Sequence, residues 1–100
     1  LDETMDDIGH FYYQRIDRRI EDTAKEQLIA RLRSTPPDTI DGQQVVATNF
    51  SDGFKFIFAS GDWLLIRPSG TEPVLRLYSE AGTEAQVERF LRHGIMIAAI

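Results

Sequence analysis

The sequence predicts an α+β fold in which two helices pack on one face of a mainly antiparallel sheet of four to five strands. Two segments with helical spacing of apolar residues stand before and after a series of short, β-prone segments. The connections between the later β-prone segments are short, which favours antiparallel pairing. Because each predicted helix is apolar along one side, the two helices together can cover one sheet face, and a two-layer arrangement follows.

The first part of the chain predicts a strand followed by a helix. Residues 11–17 form an aromatic, β-prone run that is typical of a strand. Thr23 and Glu26 have the spacing of a capping box, and apolar residues then recur at helical intervals until Pro36 and Pro37. We therefore expect a helix of about three turns with Thr23 as its N-cap.

The middle of the chain predicts a series of four strands. Phe54, Phe56 and Phe58 alternate with less apolar positions, which indicates a strand with one strongly apolar face. Turn signals, such as Asp52-Gly53, separate the first strands from one another. The predicted strands cover residues 45–48, 54–58, 63–67 and 74–80.

A second helix is predicted to close the domain. Thr83 and Gln86 repeat the capping-box spacing, and four apolar residues that follow share one helical face. These four residues are Val87, Phe90, Leu91 and Ile95.

Length and composition limit the function classes. The 100 residues, 42% of them hydrophobic, fit one domain, and we assign residues 10–100 to it and residues 1–9 to a linker or frayed lead-in. The absence of cysteine excludes a disulfide framework and fits a cytoplasmic protein. A net charge of −5 argues against a broad nucleic-acid surface. No apolar stretch is long enough for a membrane span, and the acidic start does not resemble a signal peptide.

Residue types that suit phosphate are concentrated between the last two predicted strands, in Arg67-Pro68-Ser69-Gly70-Thr71-Glu72-Pro73. Arg67 offers a planar fork of donors, and Ser69 and Thr71 add hydroxyl groups. Gly70 can adopt a positive φ, so we expect the amides of residues 69–72 to converge on an anion. The same residue types also form ordinary turns between strands, and residue chemistry alone leaves both interpretations open.

Four further residues bear on this segment. Pro68 and Pro73 restrict its backbone at both ends, which favours a preorganised loop. The carboxylate of Glu72 would repel a phosphate, so we expect it to point away or to pair with a cation, for which Arg76 is a candidate.

The stretch from Trp63 to Ala81, WLLIRPSGTEPVLRLYSEA, resembles the closing signature of the α-D-phosphohexomutases. The segment from Asp52 to Phe56 is similar to the family's Asp-Gly-containing strand start, and residues 12–16 fall where its fourth domain begins. The resemblance therefore covers nearly the whole chain. Trp63 and the residues 78–80 favour the phosphoglucomutase and phosphomannomutase branch over the glucosamine branch.

The resemblance implies a four-domain enzyme that moves a phosphoryl group between C1 and C6 of a hexose through a bisphosphorylated sugar. It implies a magnesium ion for the full-length enzyme, and as partners a phosphosugar and the preceding domains of the same enzyme. Composition gives the expectation of a cytoplasmic protein with no nucleic-acid and no membrane partner. No segment matches the family's catalytic serine, magnesium or sugar-selecting loops, so we expect the chain alone to be inactive. By motif position, Arg67, Ser69, Gly70 and Thr71 are expected to hold the phosphate that is not being transferred, with Arg76 as a further contact.

The sequence also allows other functions. A free-standing module that binds phosphorylated ligands or another protein is the alternative, and a reading frame that starts near Leu1 would favour it; nucleic-acid binding ranks third. His10 and His93 are interpreted as surface residues, and the aromatic strand residues as core. The apolar segment 94–100 is interpreted as a helix end or an interdomain contact.

Overall fold

The computed structural model describes residues 11–99, so the predicted lead-in over residues 1–9 and His10 lie outside the described part of the chain. Strands and helices follow one another in the predicted general order, with one additional short strand. The elements are β1 (Tyr12–Arg19), α1 (Asp22–Ser34), β2 (Thr39–Ile40), β3 (Gln43–Asn49), β4 (Phe54–Phe58), β5 (Trp63–Pro68), β6 (Val74–Ala81) and α2 (Glu84–Ala98).

All the strands within residues 11–99 belong to one antiparallel sheet of six strands in the order β1-β6-β5-β4-β3-β2. The α+β prediction is confirmed, but the predicted count of four to five strands is too low. The additional strand is β2, in which Thr39 pairs with Gln44 and Ile40 with Gln43. Two residues are too few to show an alternating pattern, so the sequence gives no periodic signal for this strand.

The core lies between one face of the sheet and the two helices. Phe54, Phe56 and Phe58 are all buried, as their alternation predicts, and they belong to the same hydrophobic core as Leu28 of α1 and Phe90 of α2. The rings of Phe58 and Phe90 stack with their centroids 4.5 Å apart. Both helices therefore cover the same face of the sheet.

The helix starts agree with the capping-box predictions only in part. Helix α1 begins at Asp22 with Glu21 as its N-cap, so the prediction of a capping box with Thr23 as N-cap is wrong. The residue before Glu21, Ile20, is buried and its amide donates to the Pro73 carbonyl, which fixes the chain direction just ahead of the helix. At the start of α2, the Thr83 hydroxyl accepts from the Gln86 amide at 3.1 Å, as predicted. No helix within residues 11–99 is long and apolar enough to cross a membrane.

The carboxylate of Asp41 links the β2–β3 turn to α2. It accepts hydrogen bonds from the Gln86 side chain at 2.8 Å and from Arg89 Nε at 3.1 Å, and His93 Nε2 lies 3.3 Å from its other oxygen. The hydrogen bond from Gln86, followed by that from Arg89, holds the pKa of Asp41 below its ordinary value, although burial opposes the shift. His93 is thus a surface residue with a structural contact.

We expect Asp41→Asn to lower the free energy of unfolding by about 1 kcal/mol near neutral pH. Asparagine tolerates the left-handed backbone at this position, where φ is 54°, so the change tests the charge. Because the folded-state pKa is depressed, the contribution is complete above the unfolded pKa of about 3.9 and is lost as the pH falls through the folded value. Urea unfolding of both chains between pH 3 and pH 7 would check this; a difference in stability that does not shrink in acid would contradict it.

Candidate phosphate-binding site

The predicted phosphate loop joins two strands in the middle of the sheet. Pro68 ends β5 and Val74 begins β6, and each of these strands has a neighbour on its other side. The amide of Ser69 donates to the carbonyl of Val74 at 3.0 Å, which closes the base of the loop. Ile66 and Leu75, just inside the two strand ends, are fully buried. The loop is therefore fixed between two central strands whose residues next to the loop are anchored in the core.

The inside of the loop differs from the predicted ring of converging amides. Ser69 Oγ accepts hydrogen bonds from the amides of Thr71 at 3.4 Å and Glu72 at 3.2 Å, so these two donors are satisfied within the loop. Positive φ values among the described glycines occur at Gly42, Gly53 and Gly61, and the expectation of a positive φ at Gly70 is wrong. The serine hydroxyl stabilises the turn, so a left-handed glycine is not required there.

This arrangement prepares the Ser69 hydroxyl as a donor. A serine hydroxyl has two acceptor lone pairs and one proton. Two amide donors already point at Ser69 Oγ, so the proton is left to point elsewhere. The amide of Gly70 has no acceptor among residues 11–99. The Ser69 hydroxyl proton and the Gly70 amide proton are therefore available to an acceptor outside the loop.

The side chain of Lys25 in α1 binds the backbone of the loop, a role that the sequence did not predict. Its ammonium donates to the carbonyls of Ser69 at 2.9 Å and Glu72 at 3.0 Å, and it lies 3.5 Å from an Asp22 oxygen. Lys25 is only 9% exposed. A lysine on a predicted helix normally lies in solvent, and no local pattern in the sequence joins it to a loop so far along the chain.

An open cleft of about 350 Å³ lies beside the loop, and we call it the Arg67 cleft. Arg67, Ser69 and Gly70 line it, together with Arg33 of α1 and Asp52 of the β3–β4 turn. The Arg67 guanidinium lies 3.7 Å from Asp52, and both side chains are substantially exposed. Exposed pairs of this kind contribute about 0–1 kcal/mol, so an incoming anion can displace the carboxylate.

A second open cleft, of about 370 Å³, lies between the loop and the first turns of α1, and we call it the Lys25 cleft. Thr71 lines this cleft with Lys25, while Ser69 and Gly70 line both clefts. The structure therefore groups Ser69 and Gly70 with Arg67 in one cleft and with Thr71 in the other.

Arg76 lies apart from these residues. It pairs with Glu72 at 3.6 Å and with Asp17 of β1 at 4.0 Å, and it lines neither cleft. The expected pairing of Glu72 with a cation is confirmed. Because two carboxylates already surround Arg76, its charge is compensated within the domain, in contrast to the weakly paired Arg67.

The described residues do not form a site for the magnesium ion that the resemblance implies. Within residues 11–99, no three acidic or histidine side chains lie together in a way that could hold a metal ion.

Comparison with known proteins establishes the family. The family model of the phosphoglucomutase/phosphomannomutase C-terminal domain matches residues 16–93, which is more than half of the chain and includes the whole phosphate loop. The chain belongs to this family. As a member of the phosphoglucomutase/phosphomannomutase C-terminal domain family, it has curated relatives that are mutases.

Two of these relatives come from archaea. The chain is 31% identical over 100 residues to a phosphoglucomutase/phosphomannomutase of Thermococcus kodakarensis, covering 95% of this chain and 19% of that protein. It is 32% identical over 104 residues to a phosphoglucosamine mutase of Methanocaldococcus jannaschii, covering 97% of this chain and 20% of that protein. The two relatives are named for different sugars but are almost equally identical to this chain. Sequence identity therefore does not decide between the branches, and assignment to the phosphoglucomutase and phosphomannomutase branch stays a prediction.

A solved structure supports the fold of this family member. A phosphoglucomutase/phosphomannomutase family protein from Burkholderia thailandensis matches with a TM-score of 0.60 at 22% identity, over 90% of this chain and 18% of that one. At this identity the match shows the fold alone. The chain spans about a fifth of the length of the curated relatives it matches first.

Proposed function

We propose that this chain is the phosphate-holding domain of a cytoplasmic phosphohexomutase, which interconverts hexose 1-phosphate and hexose 6-phosphate. Arg67, Ser69, Gly70 and Thr71 bind the phosphate that is not being transferred. The observation that carries the proposal is the meeting of three of these residues, Arg67, Ser69 and Gly70, at one open cleft beside a loop fixed between two buried strands. The family membership of the chain supports the same role.

Each group has a chemical task in this proposal. The Arg67 guanidinium leaves Asp52 and forms paired hydrogen bonds with two phosphate oxygens. The Ser69 hydroxyl donates its proton while it continues to accept from two loop amides. Thr71, which lines the Lys25 cleft, adds a second hydroxyl. Arg76 keeps the Glu72 carboxylate away from the anion, and a direct contact between Arg76 and phosphate stays a prediction.

The benefit to the reaction is positional. A bisphosphorylated sugar must present its two ends in turn to the catalytic group, and a clamp that recognises only phosphate holds either end equally well. Binding energy at the remote phosphate keeps the reacting end close to the nucleophile, which is how contacts far from the chemistry raise the rate. The chain alone supplies the clamp and is inactive as a mutase.

The test is an amide chemical-shift titration of the chain with glucose 6-phosphate and with inorganic phosphate at constant ionic strength, with glucose as the unphosphorylated control. We expect saturable shifts in residues 69–72 with both phosphates, and an affinity about tenfold weaker in Arg67→Ala, because a charge-assisted hydrogen bond contributes about 1.5–3 kcal/mol. Arg92→Ala is the matched control, since Arg92 is exposed on α2 and lines neither cleft. Shifts that are spread over the surface, or that are equally weakened in both variants, would contradict the clamp.

A further inference from the structure

Lys25 is the one buried lysine among residues 11–99, and its ammonium contacts the phosphate loop directly. We propose that Lys25 is a positioning residue for the anion site: by binding the carbonyls of Ser69 and Glu72 it turns the amide proton of Gly70 outward, towards the phosphate. This inference rests on the proposed function and adds to it a residue from α1, outside the loop.

The geometry of the peptide unit between Ser69 and Gly70 determines which way the Gly70 amide proton points. No peptide bond in residues 11–99 is cis, and in a trans peptide the C=O of one residue and the N–H of the next point in opposite directions. The Ser69 carbonyl points at Lys25 Nζ, 2.9 Å away. The Gly70 amide proton therefore points away from Lys25, to the other side of the loop, where it has no acceptor among the described residues.

The other amides of the loop are not available in this way. The Ser69 amide donates to Val74, and the amides of Thr71 and Glu72 donate to Ser69 Oγ. Residue 73 is proline and has no amide proton. Gly70 is thus the one backbone donor of residues 69–73 that an anion can reach without breaking a hydrogen bond of the loop.

The chemistry of lysine suits this position. Its ammonium has three donors and no acceptor, so it binds two carbonyls at once and has one donor left for Asp22, whose oxygen lies 3.5 Å away. A carbonyl that accepts from a cation is polarised, and chains of hydrogen bonds strengthen one another, so the Gly70 N–H becomes a better donor. An uncharged side chain of similar length cannot polarise the carbonyl in this way.

The experiment is an amide-resolved titration with inorganic phosphate at constant ionic strength, on the unchanged chain and four variants. Lys25→Met keeps the length of the side chain and removes the charge and the donors, while Lys25→Arg keeps both. Leu32→Val is the structural control, because Leu32 is buried in the same helix but lines neither cleft. Arg67→Ala reports on the clamp itself.

We expect the Gly70 amide proton to move most among the loop amides of the unchanged chain, and to lose this shift in Lys25→Met with an affinity about tenfold weaker. Lys25→Arg should regain part of the affinity, and Leu32→Val should bind as the unchanged chain does although it is less stable. Wild-type affinity in Lys25→Met alongside weak binding in Arg67→Ala would overturn the role of Lys25 alone, as would equal weakening in Leu32→Val. Failure of the unchanged chain to bind phosphate would overturn the proposed function, and the role of Lys25 in it.

Discussion

Phe90→Ala is expected to lower the free energy of unfolding by about 3–5 kcal/mol. Phe90 is fully buried, and its ring stacks on Phe58 with an interplanar angle of 3°. It lies in α2 and Phe58 in β4, so the pair joins the second helix to the sheet. Alanine would remove the buried ring and leave a cavity that the surrounding strands cannot fill.

Urea unfolding monitored by circular dichroism would measure this loss. Domains of this size are stable by about 5–15 kcal/mol, so the expected loss is a large part of the total. Phe11→Ala is the control, since Phe11 is 56% exposed and its loss should change stability by less than about 0.5 kcal/mol. Similar losses in the two variants would show that the stacked pair does not hold the helix to the sheet.

Gly53→Ala is expected to cost about 1–3 kcal/mol and to disturb the Arg67 cleft. Gly53 has a φ of 112°, which side-chain-bearing residues rarely adopt. A Cβ there would also lie 3.1 Å from the backbone oxygen of Ile66 and 3.2 Å from Cβ of Arg67. Because a backbone oxygen in a central strand cannot move aside easily, the turn that carries Asp52 must shift instead.

Gly61→Ala separates the two causes. Gly61 also has a positive φ, of 95°, but a Cβ at this position would meet nothing within 4 Å. The stability lost in Gly61→Ala therefore measures the backbone strain, and any larger loss in Gly53→Ala measures the contact with β5. We expect the amide shifts of residues 66–70 to change only in Gly53→Ala; unchanged shifts there would mean that the turn does not support the cleft.

The elements that the sequence predicts best are those whose burial follows a regular period. Phe54, Phe56 and Phe58 alternate, and the structure buries all of them on one face. The N-cap of α1 was predicted two residues late because Thr23 and Glu26 match a capping pattern, whereas the buried Ile20 and its hydrogen bond to Pro73 decide where the helix begins. A long-range contact of this kind leaves no mark in the local sequence.

The candidate site was likewise predicted only in part. The types and spacing of Arg67, Ser69, Gly70 and Thr71 are visible in the sequence, but the internal hydrogen bonds of the loop depend on its exact backbone path. Ser69 Oγ satisfies two amides that were expected to face the anion. Lys25 could not be found, because it meets the loop only after α1 has packed against the sheet and it stands 44 residues before Ser69.

The position of β1 in the sheet has a consequence for biosynthesis. β1 pairs along its whole length with β6, from Tyr12 opposite Ala81 to Arg19 opposite Val74. A chain made from its amino end therefore completes β1 first among the strands of residues 11–99, and the partner of β1 exists only after all the other strands have been made. During that interval the backbone donors and acceptors of β1 have only water or another molecule to bond. The sheet can be finished only after residue 81 has been added, and the phosphate loop, which lies immediately before β6, is made just before the sheet can close.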